Sequence, residues 1–298
     1  MPIDFGLDLQ MLPGELDGDA LSFYRRALSA LSPAFSTVWF NDHFQFGDRA
    51  VLESWTVLTF LAAEFPRLKV GNLVLGQSYR NPALLAKMGA TLQYLTGGRF
   101  ILGIGAGWHA EEQRAYGYEV VRPRQRVTQL EEAIEIIRKL WTGGPVTYRG
   151  THYRIEDAYC LPRPDPMIPI MVGSSGPRGL RVTARLADAW NANGDMDRFK
   201  PPYDMLRRYC DEIGRDFREI TLTAGAPASF PADPGDFVPS PPGEPQTLGP
   251  TPADAVEQLR PLAELGVTHF QIRMTDLRTI ELFGAEVAPV LAQYQGTL

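Results

Sequence analysis

Short apolar or β-branched runs recur along the chain, and between most of them apolar residues return every three or four positions. The runs are IDFGLDL (3–9), STVWF (36–40), KVGNLVL (69–75), RFILGIG (99–105), IPIMVG (168–173), DAWNA (188–192), EITLTAG (219–225) and VTHFQIR (267–273). In the intervening segments Leu21, Tyr24, Leu28 and Leu31 share one helical face, as do Val127, Leu130, Ile134, Ile137 and Trp141, after which Gly143 and Gly144 act as a stop. The first three runs start 33 residues apart, the size of one βα unit. Eight strands alternating with helices in 298 residues predict an α/β fold, a (β/α)8 TIM barrel forming one domain over 1–298, rather than an open sheet.

Two segments break this rhythm. PVTYRGTHYRIED (145–157) alternates around Arg149-Gly150 and predicts a small appended hairpin. Residues 227–252 are too rich in proline for helix or central strand. Following strand seven, they would hang over the C-terminal mouth of a barrel as a lid or substrate wall; a disordered linker is the alternative.

Charge and cysteines narrow the partners. Lys plus Arg (29) against Asp plus Glu (35) gives a net charge of -6 without a basic run, which argues against nucleic acid or an anionic membrane. MPIDFGLDLQ has no basic n-region or apolar h-region, and no apolar run reaches the roughly 18 residues of a membrane span, so a cytoplasmic protein is expected. Cys160 and Cys210 have no metal or redox spacing and read as packing residues.

In a barrel the chemistry sits just past each strand. Strand one leads to Asp8 and Gln10, strand two to Asn41, Asp42 and His43, strand three to Gln77, Tyr79 and Arg80, and strand four to Gly105, Gly107, Trp108 and His109. A histidine beside an aspartate at a strand end suits general acid–base work near neutral pH, with the aspartate holding its tautomer or contacting a ligand; a loop-packing role is the alternative. GSSGPRG, Gly173 to Gly179, has Pro177 at a helix start and presents N–H groups and hydroxyls suited to a phosphate, unless it is a glycine turn with a serine N-cap. The spacing Gly103, Gly105, Gly107 is not the G-x-G-x-x-G of a dinucleotide fold, and no acidic residue follows at the required distance. No H-E-x-x-H or G-x-S-x-G occurs, so neither a metal site nor a common hydrolase is expected.

Together these blocks resemble the luciferase-like flavin and deazaflavin oxidoreductases, which are (β/α)8 barrels. The resemblance is carried by YRNPALLAKMGATLQYLTGGRFILGIGAGWHAEEQRAYG (79–117), RVTQLEEAIEIIRKLW (126–141) and PIMVGSSGPRGLRVTARLADAWNA (169–192). NDHFQ (41–45) looks most like the branch that uses coenzyme F420, a deazaflavin exchanging a hydride at C5 of its ring. The resemblance implies that Asp42 lies at the ring and that His43 is the proton-transfer group. It also implies a non-proline cis peptide at Leu73-Val74 behind the ring, and further cofactor contacts from Gly76, Gly105, Gly107, Trp108 and His109. The glycines of strand four would let backbone pass close to the cofactor, whose phosphate would rest on Gly173, Ser174, Ser175 and Gly176. The branch's glucose-6-phosphate dehydrogenases carry tryptophan where Gly47 aligns and glutamate where Trp108 aligns, departures that weigh against a sugar-phosphate substrate. Trp39, Trp108 and Phe46 point instead to an uncharged or partly apolar small molecule. An FMN-dependent monooxygenase is the alternative, a non-catalytic flavin- or deazaflavin-binding protein the third reading, and a homodimer the expected assembly.

Overall fold

The computed structural model describes residues 2–9, 20–48 and 50–294, so Gln10 lies outside the described residues. Among them, eight parallel strands form the barrel: β1 (Asp4–Asp8), β2 (Phe35–Phe40), β3 (Lys69–Asn72, resuming at Leu75–Gly76), β4 (Phe100–Gly105), β5 (Ile170–Gly173), β6 (Ala189–Asn193), β7 (Thr221–Pro227) and β8 (His269–Arg273). Each strand pairs with the next and β8 pairs with β1, which closes the sheet and removes its edges. The helices that cover it include α1 (Ala20–Ser29), α2 (Ser54–Glu64), α3 (Pro82–Thr96), α4 (Ala110–Ala115), α5 (Pro123–Leu140), α6 (Pro177–Leu186), α7 (Met196–Ile213) and α8 (Pro252–Glu264). Among the described residues, no helix is long and apolar enough to cross a membrane.

Both faces of the strands are buried, which explains why they read as continuous apolar runs. Outside the barrel, Phe5, Phe35, Phe270 and Phe283 pack against one another under the helices. Inside, Trp39, Leu73, Met171 and Ala189 form a separate cluster. This corrects the expectation that Trp39 lines the mouth: its ring fills the space beside Gly6 and Gly71, and its indole N–H donates to His269 Nε2 at 3.0 Å. A polar layer sits among these residues, with Asn191 donating to Gln271 Oε1 at 3.0 Å and Gln271 donating to Thr223 Oγ1 at 3.0 Å.

The third strand is irregular where it matters. Gly71 faces Ile101 and Leu75 faces Ile104, so β3 spends four residues where β4 spends three. The extra residue makes a bulge, with the Leu73-Val74 peptide in the cis form. The Asn72 carbonyl oxygen lies 1.8 Å from where a Cβ on Gly103 would stand, and Val74 Cγ2 lies 2.8 Å and 3.0 Å from the Cβ positions of Gly105 and Gly173. Gly103 and Gly105 are therefore glycine to admit the bulge, a reason different from the close cofactor approach expected for them.

Both insertions are ordered. The hairpin pairs Val146–Arg149 with Arg154–Ala158, and its turn is fixed by Glu132 on α5, which accepts from the N–H groups of Thr151, His152 and Tyr153. The proline-rich segment is no linker: Leu248 donates to the Pro227 carbonyl at 2.8 Å, and Phe230 and Leu248 are core residues. Its two ends thus belong to the folded core, and only the stretch between them is placed like a wall.

Gly103→Ala puts a methyl group onto backbone and should destabilise the protein by about 3 kcal/mol or more, beyond the usual range of overpacking. Gly176→Ala, with open space around the new Cβ and a φ of -82, should leave the urea midpoint unchanged. Equal midpoints for the two variants would contradict the bulge as the reason for Gly103.

Candidate active site

The exit loops of β2 to β6 surround one cleft of about 1230 Å³. Every residue expected to touch a cofactor lines it: Asp42, His43, Leu73, Val74, Gly76, Gly105, Gly107, Trp108, His109 and Gly173 to Gly176.

Asp42 follows β2, and its carboxylate is fully buried. It accepts from the Gly76 N–H at 2.9 Å and from both terminal nitrogens of Arg80 at 2.8 and 3.0 Å, while Arg80 also donates to Glu53 at 2.6 Å. Burial raises the Asp42 carboxyl above its ordinary range, against the opposing pull of Arg80 and the Gly76 amide. Burial likewise disfavours the Arg80 cation, but Asp42 and Glu53 outweigh it. The expectation that Asp42 holds the histidine tautomer is therefore corrected. Its carboxylate instead ties the end of β2 to the far side of the bulge, because a buried carboxylate needs that many donors.

The partner of His43 is Glu112. His43 Nδ1 lies 2.9 Å from Glu112 Oε2, and the Tyr79 hydroxyl donates to Glu112 Oε1 at 2.5 Å. Glu112 has no exposed surface, whereas the His43 ring faces the cleft. Burial, and then the adjacent Glu112 carboxylate, push the Tyr79 phenol far above its ordinary value, so it stays protonated and donates. An acceptor at Nδ1 assigns the proton of the neutral ring to that nitrogen and leaves the Nε2 lone pair for the cleft. Glu112 is placed by its own helix: His109, the N-cap of α4, accepts from the Glu112 N–H through Nδ1 at 3.1 Å.

On the opposite side of the cleft lies the start of α6. Its N-cap is Gly176, with no side-chain cap. The serine N-cap alternative fails because the Ser174 hydroxyl is engaged with Thr183 Oγ1 at 2.9 Å. The N–H groups of the first turn are left to the cleft, where the helix dipole favours an anion. Sequence reasoning missed the arginines that join them: Arg124, Arg126, Arg178 and Arg198 all line the cleft, and Arg126 Nε is buried without a partner. They are spread over 75 positions in the chain, so no local pattern announces them. Arg198 also donates to the Gly243 carbonyl at 2.7 Å, and Pro245 joins the lining, which brings the proline-rich segment to the cleft as expected.

The sequence profile of the luciferase-like monooxygenases matches residues 22–238. The chain belongs to this family. Among relatives of this luciferase-like protein, an F420-dependent glucose-6-phosphate dehydrogenase of Kineococcus radiotolerans is 33% identical over 215 residues, covering 70% of this chain and 64% of that protein. A phthiodiolone/phenolphthiodiolone dimycocerosates ketoreductase of Mycobacterium kansasii is 43% identical over 182 residues, covering 58% of this chain and 48% of that protein. The chain thus spans from about half to just under two thirds of the length of these two relatives. An F420-dependent secondary alcohol dehydrogenase, solved with an F420–acetone adduct, superposes with a TM-score of 0.83 over 98% of this chain and 99% of that one, at 19% identity. An EDTA monooxygenase of Chelativorans sp. gives 0.81 over 98% and 93%, at 14% identity. At such identities the likeness is one of fold.

Nitrogen NMR of His43 checks the arrangement in this luciferase-like barrel without any ligand. For the neutral ring, the Nδ1–H tautomer is expected in the wild type. Glu112→Ala should lose that preference and, by leaving the Tyr79 hydroxyl and the imidazole without their acceptor, destabilise the protein by roughly 1–3 kcal/mol. A wild-type ring carrying its proton on Nε2 would contradict the assignment.

Proposed function

We propose that this protein is an F420-dependent oxidoreductase that moves a hydride between the deazaflavin and a small organic substrate. The observation that carries the reading is the His43–Glu112 pair facing the same cleft as an uncapped helix N-terminus flanked by four arginines. The named relatives support it, since their activities are F420-dependent dehydrogenation and ketone reduction.

The residues present fit such a cofactor. Gly173 to Gly176 and the first turn of α6 would hold its phosphate, and Arg124, Arg126, Arg178 and Arg198 would neutralise the further acidic groups of its tail. Val74, advanced by the bulge against Gly105 and Gly173, would give the flat ring an apolar rest. When bound, the deazaflavin supplies a ring carbon that gives or accepts a hydride. The chain's own part is proton traffic: His43 takes a proton from an alcohol, or gives one to a carbonyl oxygen, at Nε2, while Glu112 keeps the ring oriented. Tyr79 fixes Glu112 in turn and stays protonated throughout. The arginines also weigh against FMN, whose arm carries a single phosphate and gives most of them nothing to neutralise.

Fluorescence titration of the purified protein should show F420 binding at least tenfold more tightly than FMN, a difference of about 1.4 kcal/mol. Gly176→Asp, at a position where a side chain meets nothing, should keep the fold and weaken F420 binding by charge repulsion at the helix N-terminus. Tighter binding of FMN would reverse the assignment, and unchanged F420 affinity in Gly176→Asp would remove the phosphate from α6.

A further inference from the structure

His43, Trp108 and His109 line the cleft side by side, and Phe46 packs against the two histidines. The His43 ring lies 4.6 Å from Phe46 and 5.6 Å from Trp108, centroid to centroid, and His109 completes the group at 4.8 Å from Trp108 and 5.4 Å from Phe46. Trp39, Trp141 and Trp190 are almost wholly buried, yet Trp108 lines the cleft with 66% of its surface exposed. A large apolar ring left open beside an acid–base group is a contact surface awaiting a ligand. The ionic groups close by are already spent on one another: Glu112 on His43 and Tyr79, Asp42 on Arg80, and Arg80 on Glu53 as well. Among the described residues, no lysine or arginine lies over the Trp108 or Phe46 ring. The four arginines that do line the cleft belong to the first turns of α5, α6 and α7, where the cofactor's acidic groups claim them.

We propose that this ring cluster is the substrate subsite, and that it takes an uncharged ketone, or the matching secondary alcohol, with an alkyl or aryl arm lying on Trp108. This rests on the reading of His43 as proton-transfer group in an F420-dependent reaction. A phosphorylated sugar would have to shed water from a dianion beside rings that offer it no cation. A ketone brings one acceptor, met by the Nε2–H of the protonated His43, and its arm gains from leaving water. In the reducing direction the hydride of the reduced deazaflavin forms the new C–H bond at the carbonyl carbon. The C=O π pair takes the His43 proton to form O–H, the ketone is reduced by two electrons, and the deazaflavin is oxidised by two. The alcohol runs the same steps backwards.

The test compares 2-butanone through 2-nonanone, acetophenone and glucose 6-phosphate on the F420-loaded protein, the sugar phosphate being assayed in the oxidising direction alongside 2-butanol through 2-nonanol. Quenching of Trp108 fluorescence by acetophenone is measured separately without cofactor, with Trp108→Phe as the blank. The expected result is a kcat/KM that rises roughly two- to fourfold per added methylene until the cluster is covered. Trp108→Ala, truncating an exposed side chain, should flatten that slope. Glucose 6-phosphate turned over faster than every secondary alcohol, or a flat chain-length series in the wild type, overturns the subsite while leaving the F420 reading in place. Quenching by acetophenone in a protein that binds no F420 supports the subsite and overturns the cofactor reading instead.

Discussion

The carbonyl oxygen of Asn72 occupies the place a side chain at position 103 would need, and the cleft is organised around that close approach. It admits the bulge in β3, which carries Val74 toward Gly105 and Gly173 and lets the strand resume at Leu75–Gly76. The resumed segment presents the Gly76 N–H to Asp42, and Arg80, just beyond, closes the same carboxylate. The chain between them carries Tyr79 to Glu112, and Glu112 reaches His43. One backbone contact between neighbouring strands thus fixes the floor of the cleft and, two links further on, the group that handles its proton.

Electrostatically the cleft is divided. Among the described residues, the arginines at the first turns of α5, α6 and α7 have no acidic ion-pair partner within the cleft. Around His43 the buried Glu112 and Asp42 carboxylates are each spent on a neighbour, and the imidazole stands beside the Trp108 and His109 rings. Such a division suits a polyanionic cofactor held at its tail and a neutral reactant held at the ring, because an ion and an apolar group need opposite surroundings. The proline-rich segment joins the two levels: Phe230 and Leu248 are core residues, while Pro245 reaches the cleft.

The barrel was legible in the sequence because buried parallel strands and amphipathic helices have different periods, and all eight strands fall within two residues of their expected bounds. What the periods leave open is the direction of a side chain in a strand buried on both faces. Trp39 was therefore expected at the mouth, and only Gly6 and Gly71 on the flanking strands reveal the space inside that receives it. The loop before α6 was legible as a glycine-serine run before a helix, but that no serine caps the helix shows only in Ser174 bonding Thr183. Glu112 was not singled out because its contact with His43 spans 69 residues, whereas Asp42 stands next to His43 in sequence but spends its carboxylate on Gly76 and Arg80.

The central claim is that His43 handles the proton that accompanies hydride transfer. Single-turnover absorbance of the F420-loaded protein, mixed with the best substrate of the ketone and alcohol series, measures this step apart from binding. His43→Ala should slow it by roughly 10²- to 10⁴-fold while F420 affinity changes by less than tenfold. A variant that binds F420 normally and transfers the hydride at the wild-type rate would contradict the account.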